Sequence, residues 1–419
     1  MTQRKASKRW MLRYLETRTH AFIAAGLVWV AALVLLATPG DRYPTGDLKG
    51  ADFIQLYTLA HLAFEGEYPR VEHSDRMHAR QVELVPASAT EYYLPVYPPQ
   101  AALLFAPFRY LSYRAAVYVW VLILIAGYAA IVSSAWRSVR DVFPDRWFVA
   151  AAAAAFPPFW LLVLFGQTTI VPLAGFFLAW LALKADRPFL AGLAFGLLSI
   201  KPQFAILLTF VVVLNAQWRI LLGGACSIVI QLAAVIGTLG FQALRAYFDT
   251  ILAMRNIEKL LEPDSWRMHS LRTVTNLVYG NLGQSLWFVT CATVIAIVVW
   301  VWRTRAELNT RLGMLVLGTV LINPHLFVYD ASVLVLALLW LGALVEGERP
   351  SWRAAYWHVV YFLFLFFLVP TARLLYVQFS VLLMAWLFWR VAHGILNAES
   401  AHYARDLPLE NWSAVQDCS

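Results

Sequence analysis

The residues that could do chemistry in this chain stand at the edges of long apolar runs. Asp52 is a carboxylate at the start of a polar stretch and could act as a general base, taking a proton from a hydroxyl. Gly166-Gln167-Thr168-Thr169 joins two apolar runs through groups that both donate and accept hydrogen bonds. Lys201-Pro202-Gln203 interrupts a third run with a cation suited to an anionic group. Asn323-Pro324-His325 is followed, one turn further on, by Tyr329 and Asp330. Arg267, His269, Arg272 and Asn276 occupy a second polar stretch. Polar groups beside hydrocarbon are costly and are usually functional or paired. Gathered at one face, they would form a single site at the membrane–water boundary.

Each of these residues also has a plainer reading. Phe53, Leu56, Tyr57, Ala60 and Phe64 repeat at helical spacing. That makes Asp52 an N-cap, with Gln55 three residues on as in a capping box. Asp47, Glu65, Glu67 and Asp75 are the other acids of this stretch that could serve as a base. Lys201 could snorkel toward the interface, although Pro202 beside it marks a helix break, where open backbone often meets a ligand. His325 could satisfy the helix start after Pro324, and Asp330 could pair with a cation inside a bundle. Arg267 and His269 also read as ordinary loop residues. The Tyr97-Pro98-Pro99 run sets an extended lead into a helix.

Composition decides what must hold these residues. The 419-residue chain is 61% hydrophobic and 14% charged, with a mean hydropathy of +0.63. Soluble domains carry about 25% charged residues. A chain this apolar could not cover its own surface in water, whereas hydrocarbon lets apolar side chains face outward. The expected fold class is therefore all-α, a polytopic membrane helical bundle. The net charge of +8 reads as membrane topology and attraction to anionic lipid. Its Lys and Arg residues form no continuous stripe, so nucleic acid is not an expected partner. Cys226, Cys291 and Cys418 have neither metal-ligand spacing nor a disulfide pattern. Cys418 is penultimate, which excludes prenylation.

A span needs about 20 apolar residues. The apolar runs are 21–38, 115–134, 147–165, 169–184, 220–239, 285–302, 312–323, 326–345, 355–370 and 374–393, with 188–215 broken at Lys201-Pro202-Gln203. Counting 188–215 as two spans gives about twelve. It also places Lys184–Arg187, Arg303–Arg311 and Arg349–Arg353 on the same, cytoplasmic side as the basic N-terminus. The N-terminus lacks a small-residue cleavage site and reads as a retained signal anchor. The long connections 39–98 and 240–284 then face out. Residues 1–393 form one transmembrane domain and 394–419 a cytoplasmic tail. On this topology Asp52, Gln167, Lys201 and His325 share the outer side.

Taken in order, these motifs resemble the polyprenyl-phosphate-dependent glycosyltransferases of family 87, which have the GT-C membrane fold. The match runs through Ala51-Asp52-Phe53, Leu94-Pro95-Val96-Tyr97-Pro98-Pro99, Gly166-Gln167, Lys201-Pro202-Gln203, and Asn323-Pro324-His325 with Tyr329-Asp330. The second long connection matches least. The resemblance implies a GT-C-like bundle with a large first extracytoplasmic loop. It implies inverting transfer of a sugar, with mannose expected, from a polyprenyl phosphate donor to a hydroxyl of a glycolipid or glycan. Asp52 would be the general base. One carboxylate suffices because phosphate is already a good leaving group, unlike the alkoxide that glycosidases must expel with two. Lys201, His325 and Arg267 would stabilise the departing phosphate, and Gln167, Gln203, Tyr329 and Asp330 would line the substrate site. No metal or other cofactor is expected. The expected location is the bacterial inner membrane, with a cytoplasmic N-terminus. The alternative is a twelve-span transporter or lipid-linked-sugar flippase. A transporter places its ionisable groups at the bilayer midplane between two related halves. Here they gather at helix ends, and the halves show no obvious symmetry. A scaffold subunit without activity is a third reading, which the polar cluster opposes.

Overall fold

The computed structural model describes residues 2–70, 73–261, 265–346 and 350–406. It is an all-α bundle with no strand among the described residues. The helices are α1 Thr2–Ala37, α2 Phe53–Phe64, α3 Ser74–Leu84, α4 Pro99–Phe105, α5 Tyr113–Arg137, α6 Arg146–Ala155, α7 Pro157–Phe165 and α8 Ile170–Lys184. There follow α9 Pro188–Phe195, α10 Ile206–Leu214, α11 Trp218–Leu239, α12 Phe241–Leu261, α13 Leu271–Tyr279, α14 Gly283–Val301 and α15 Leu308–Ile322. The chain ends in α16 Leu334–Glu346, α17 Pro350–Leu368, α18 Thr371–Leu375 and α19 Phe379–Asp406.

Among the described residues, seven helices are long and apolar enough to cross a membrane, or eight when α6 and α7 are taken as one. The run 147–165, expected as one span, bends by 54° between them. Pro157 and Pro158 cause the bend, because a residue before proline is driven to extended backbone and Phe156 sits at ψ 114°. The run 188–215 breaks at Lys201 into two short helical segments, Pro188–Ile200 and Pro202–Leu214. The tail expected from 394 begins as a straight continuation of α19 to Asp406. Residues 407–419, with Cys418, and Arg349 lie outside the described residues.

Helix ends fall into two sets. At one face Arg18 pairs with Asp145 at 2.7 Å and Trp180 Nε1 donates to Asn309 at 2.8 Å. There too Arg303 Nε donates to Asn215 at 3.0 Å, and the Arg305 N–H to Glu399 at 2.8 Å. At the other, loop-bearing face Tyr43 donates to the Leu164 carbonyl at 3.0 Å and Tyr118 to that of Leu36 at 2.7 Å. Here the His269 N–H donates to the Leu326 carbonyl at 2.9 Å and Gln378 to that of Met268 at 2.9 Å. The chain from Arg187 to Asn215 thus rises to the loop face at Lys201 and returns. At 1.5 Å per residue, the 15 residues of α8 and of α15 rise about 22 Å, short of a hydrocarbon core of about 30 Å.

Two packing features bring the candidate site residues together at the loop face. The first is the helix pair α9–α11. A Cβ at Gly192 would stand 2.1 Å from the Ile220 carbonyl oxygen, and one at Gly196 2.3 Å from Ser227. Gly192 and Gly196 are four apart, as are Gly223 and Ser227 facing them from α11, and these small residues let the backbones touch as membrane helices do. That contact sets the height of Lys201. The second is the loop before α2. Phe53 is fully buried, its ring 5.6 Å from Phe105 and 5.5 Å from Phe108. Burying such a ring contributes about 2–3 kcal/mol, and it anchors Asp52 immediately beside the end of α7.

Candidate active site

Asp52 starts α2 but does not cap it. Its own backbone is already helical, at φ −85° and ψ −20°, and its side chain makes no cap hydrogen bond. N-caps need an extended backbone to turn the side chain back onto the helix. The Gln55 amide donates to the Leu94 carbonyl, and the Asp52 N–H goes to the Phe165 carbonyl at 3.0 Å. The capping-box reading is therefore wrong: the α7 end takes the backbone donor that a capping box would satisfy. The carboxylate is left for tertiary contacts. Gln167 Nε2 donates to Asp52 Oδ2 at 2.7 Å, and Tyr329 faces the same carboxylate. Burial raises the Asp52 carboxyl above the usual carboxylate range, opposed by the Gln167 hydrogen bond and by the charge of Lys201. The side chain is nonetheless part-exposed, so an acceptor could reach it.

Gln167 follows Gly166, which caps α7 in the left-handed region at φ 69°. Its buried amide oxygen accepts from Tyr97 at 2.9 Å and from Lys201 Nζ at 2.9 Å. Lys201, buried at the break between the two short helical segments, also donates to Thr169 Oγ1 at 3.1 Å and pairs with Asp330 Oδ1 at 2.7 Å. Thr169 donates to that same oxygen at 2.5 Å. Lys201 does not snorkel, and Asp330 is its counter-ion. Buried charges are tolerated when paired and hydrogen-bonded in this way.

The structure thus unites Asp52, Gln167, Lys201, Tyr329 and Asp330. His325 stands at the rim, part-exposed. Its ring is 4.9 Å from Phe327, whose ring stacks 5.5 Å from Tyr329. Asn323, fully buried, accepts the His325 N–H at 3.0 Å, so the helix start is satisfied by Asn323 and the imidazole is not needed for it. Gln203, part-exposed in the next turn, lies outside the network. Arg267 is exposed on the second long connection, its guanidinium 5.1 Å from the Trp266 ring. A backbone bridge between Met268 and Phe327 ties that connection to the His325–Asp330 segment. His269 is not an ordinary loop residue. It is buried against Ser380 at 2.7 Å, and burial lowers its pKa to about 3.

The other acids of the first connection are engaged elsewhere. Asp47 accepts from Thr45, Glu65 pairs with Arg80, Asp75 accepts from Tyr92, and Glu67 is exposed. Tyr93, whose hydroxyl donates to the Ala51 carbonyl, and Tyr97 join the site only in the structure. Tyr97 had looked like part of a proline-rich lead into a helix. Thr168 and Thr169 carried a usable signal, two hydroxyls beside Gln167 at a polar break. Among the described residues no group of three or more His, Cys, Asp and Glu side chains could hold a metal ion.

The model of glycosyltransferase family 87 matches residues 96–327, more than half of the chain. The match takes in Tyr97, Gln167, Lys201 and His325, while Asp52 precedes it and Tyr329-Asp330 follow it. No curated protein and no solved structure matches the chain. The chain, an all-α bundle of apolar helices matched over that length, belongs to glycosyltransferase family 87.

Proposed function

We propose that this membrane glycosyltransferase moves a sugar, mannose, from a polyprenyl phosphate to a hydroxyl of a glycolipid or glycan, with inversion and without a metal or other cofactor. Asp52 takes the acceptor proton as the acceptor oxygen bonds to the anomeric carbon. The bond from that carbon to the phosphate oxygen breaks, and the lipid phosphate leaves. The observation that carries this reading is the placing of Asp52, fixed at one oxygen by Gln167 and joined through it to the buried Lys201–Asp330 pair. Elevation of its pKa brings it nearer the working pH, which favours general-base catalysis.

Lys201 has spent its three N–H groups on Gln167, Thr169 and Asp330. We therefore assign the departing phosphate to His325, supported by Arg267 and Arg272 on the adjoining connection. The transporter reading has no comparable support once the family is known. A GT-C-like bundle with the loop face outside a bacterial inner membrane and the N-terminus in the cytoplasm fits the placing of basic residues; about twelve passes requires shorter apolar helices, such as Ile170–Lys184 and Leu308–Ile322, to cross beside the seven or eight long spans.

The test is transfer of labelled sugar from a short-chain polyprenyl phosphomannose in proteoliposomes. Asp52→Asn should lower turnover by about 10²-fold or more, the size of a lost general base. Undiminished transfer by a folded Asp52→Asn protein would overturn the reading.

A further inference from the structure

Gln167 is held by its oxygen and acts through its nitrogen. Three donors converge on Oε1: the Tyr97 hydroxyl at 2.9 Å, Lys201 Nζ at 2.9 Å and the Thr168 N–H at 3.2 Å. An ammonium and a peptide N–H can only donate, so the atom facing them must be the amide oxygen. The NH2 group is left facing Asp52 Oδ2 at 2.7 Å. Lys201 is fixed in turn by Asp330 and Thr169, and Thr169 is fixed by Asp330. The chain of contacts leads from Asp330 to Asp52 without a gap, through side chains that are all buried until the last.

We propose that Gln167, Lys201 and Asp330 are positioning residues for Asp52: the neutralised Lys201–Asp330 pair clamps the Gln167 amide, which occupies one oxygen of Asp52 and leaves the other to receive the acceptor proton. This rests on Asp52 being the general base. A carboxylate free to rotate would present either oxygen, or neither, to the acceptor. The clamp removes that freedom, which is the kind of preorganisation that shortens the path to the transition state. It also favours the ionised carboxylate, because an N–H donor bonds the charged form more strongly. The groups facing Asp52 are Gln167, Tyr329, Tyr93, Tyr97, Lys201 and Asp330. Lys201 and Asp330 carry opposite charges. Removing both together takes away little net charge and leaves the freed amide as the main change.

Infrared titration of the Asp52 carboxyl band in proteoliposomes, assigned by its loss in Asp52→Asn, needs no substrate. The Gln167→Leu variant and the Lys201→Met, Asp330→Asn double variant should both move the protonation midpoint up by about one pH unit. The double variant keeps the site free of an unpaired buried charge, so it tests positioning without a folding defect. With polyprenyl phosphomannose, both should lower kcat by about tenfold or more with donor KM changed by less than about twofold. An unchanged midpoint in both variants would overturn the clamp. So would a large rise in donor KM with kcat and midpoint unchanged, because Lys201 would then be a phosphate ligand. Full turnover by Asp52→Asn would sink the general-base reading and the catalytic sense of the clamp, whatever the titration gave.

Discussion

Gln167 Nε2 stands 2.7 Å from Asp52 Oδ2 across 115 residues of sequence. The approach is possible because the loop before α2 lies directly on the end of α7. The Gly50 N–H donates to the Leu164 carbonyl at 3.3 Å and the Asp52 N–H to that of Phe165 at 3.0 Å. The proposed general base is thus mounted on the membrane bundle itself, although it belongs to a connecting segment.

Gly166 is the thinnest point of that mounting. Its φ of 69° is left-handed, and a Cβ there would stand 2.8 Å from Phe53 Cβ. Gly166→Ala should cost about 1–2 kcal/mol from backbone conformation alone. Pushing Phe53 and Asp52 aside should also lower turnover, by about 10²-fold for a displacement near 1 Å. Thermal unfolding in detergent and the transfer assay would measure the two effects.

Local stability should depend on the buried Lys201–Asp330 ion pair. Lys201→Met alone strands a buried carboxylate and should cost about 3–5 kcal/mol. Adding Asp330→Asn should recover most of that loss, because no lone charge remains. A double variant as unstable as the single one would show that the hydrogen bonds to Thr169 and Gln167 carry the stability instead.

Asp52 should trade stability for function. Its carboxyl pKa is raised in the fold, so the protonated form is the favoured one. That contribution is full below the ordinary carboxylate pKa and is lost as pH rises through the raised value. At neutral pH, Asp52→Asn should therefore melt at or above the parent temperature while losing turnover. Below the ordinary carboxylate pKa the two proteins should melt alike. Turnover of the parent should fall with acid, its midpoint lying above the usual carboxylate range.

The α9–α11 contact should be the least tolerant helix interface near the site. Gly196→Val would drive a side chain into Ser227, already 2.3 Å from a bare Cβ. Overpacking of this kind costs about 1–3 kcal/mol or more. Reduced yield of folded protein and lower turnover should appear together, since α9 leads to Lys201.

Orientation can be read from Asp75, which is exposed on α3 in the first long connection. In a variant lacking Cys226, Cys291 and Cys418, Asp75→Cys should react with an impermeant maleimide added outside intact cells. Protection from outside, with labelling only after lysis, would reverse the topology.

Composition and hydropathy alone determined that this chain is a helical membrane protein, because side-chain solvation is additive and needs no partner to be read. The break at Lys201 was legible for a similar reason: proline and a cation interrupt an apolar run within one local stretch. The sequence also supplied Asp52, Gln167, Lys201, Tyr329 and Asp330 as polar residues near hydrocarbon. Whether Asp52 caps its helix or joins the Gln167–Lys201–Asp330 network was not legible. Both roles need the same residue at the same position, and only the location of α7 decides between them. The partner of Lys201 was likewise open, since Asp330 lies 129 residues away. Gln203 shares a motif with Lys201 yet lies outside the network, because a step of two residues in a 3₁₀ segment carries a side chain about two-thirds of the way round the axis. Pairing across the bundle depends on how α7, the 188–215 break and the 323–330 turn meet at the end of short helices, and that is a property of packing.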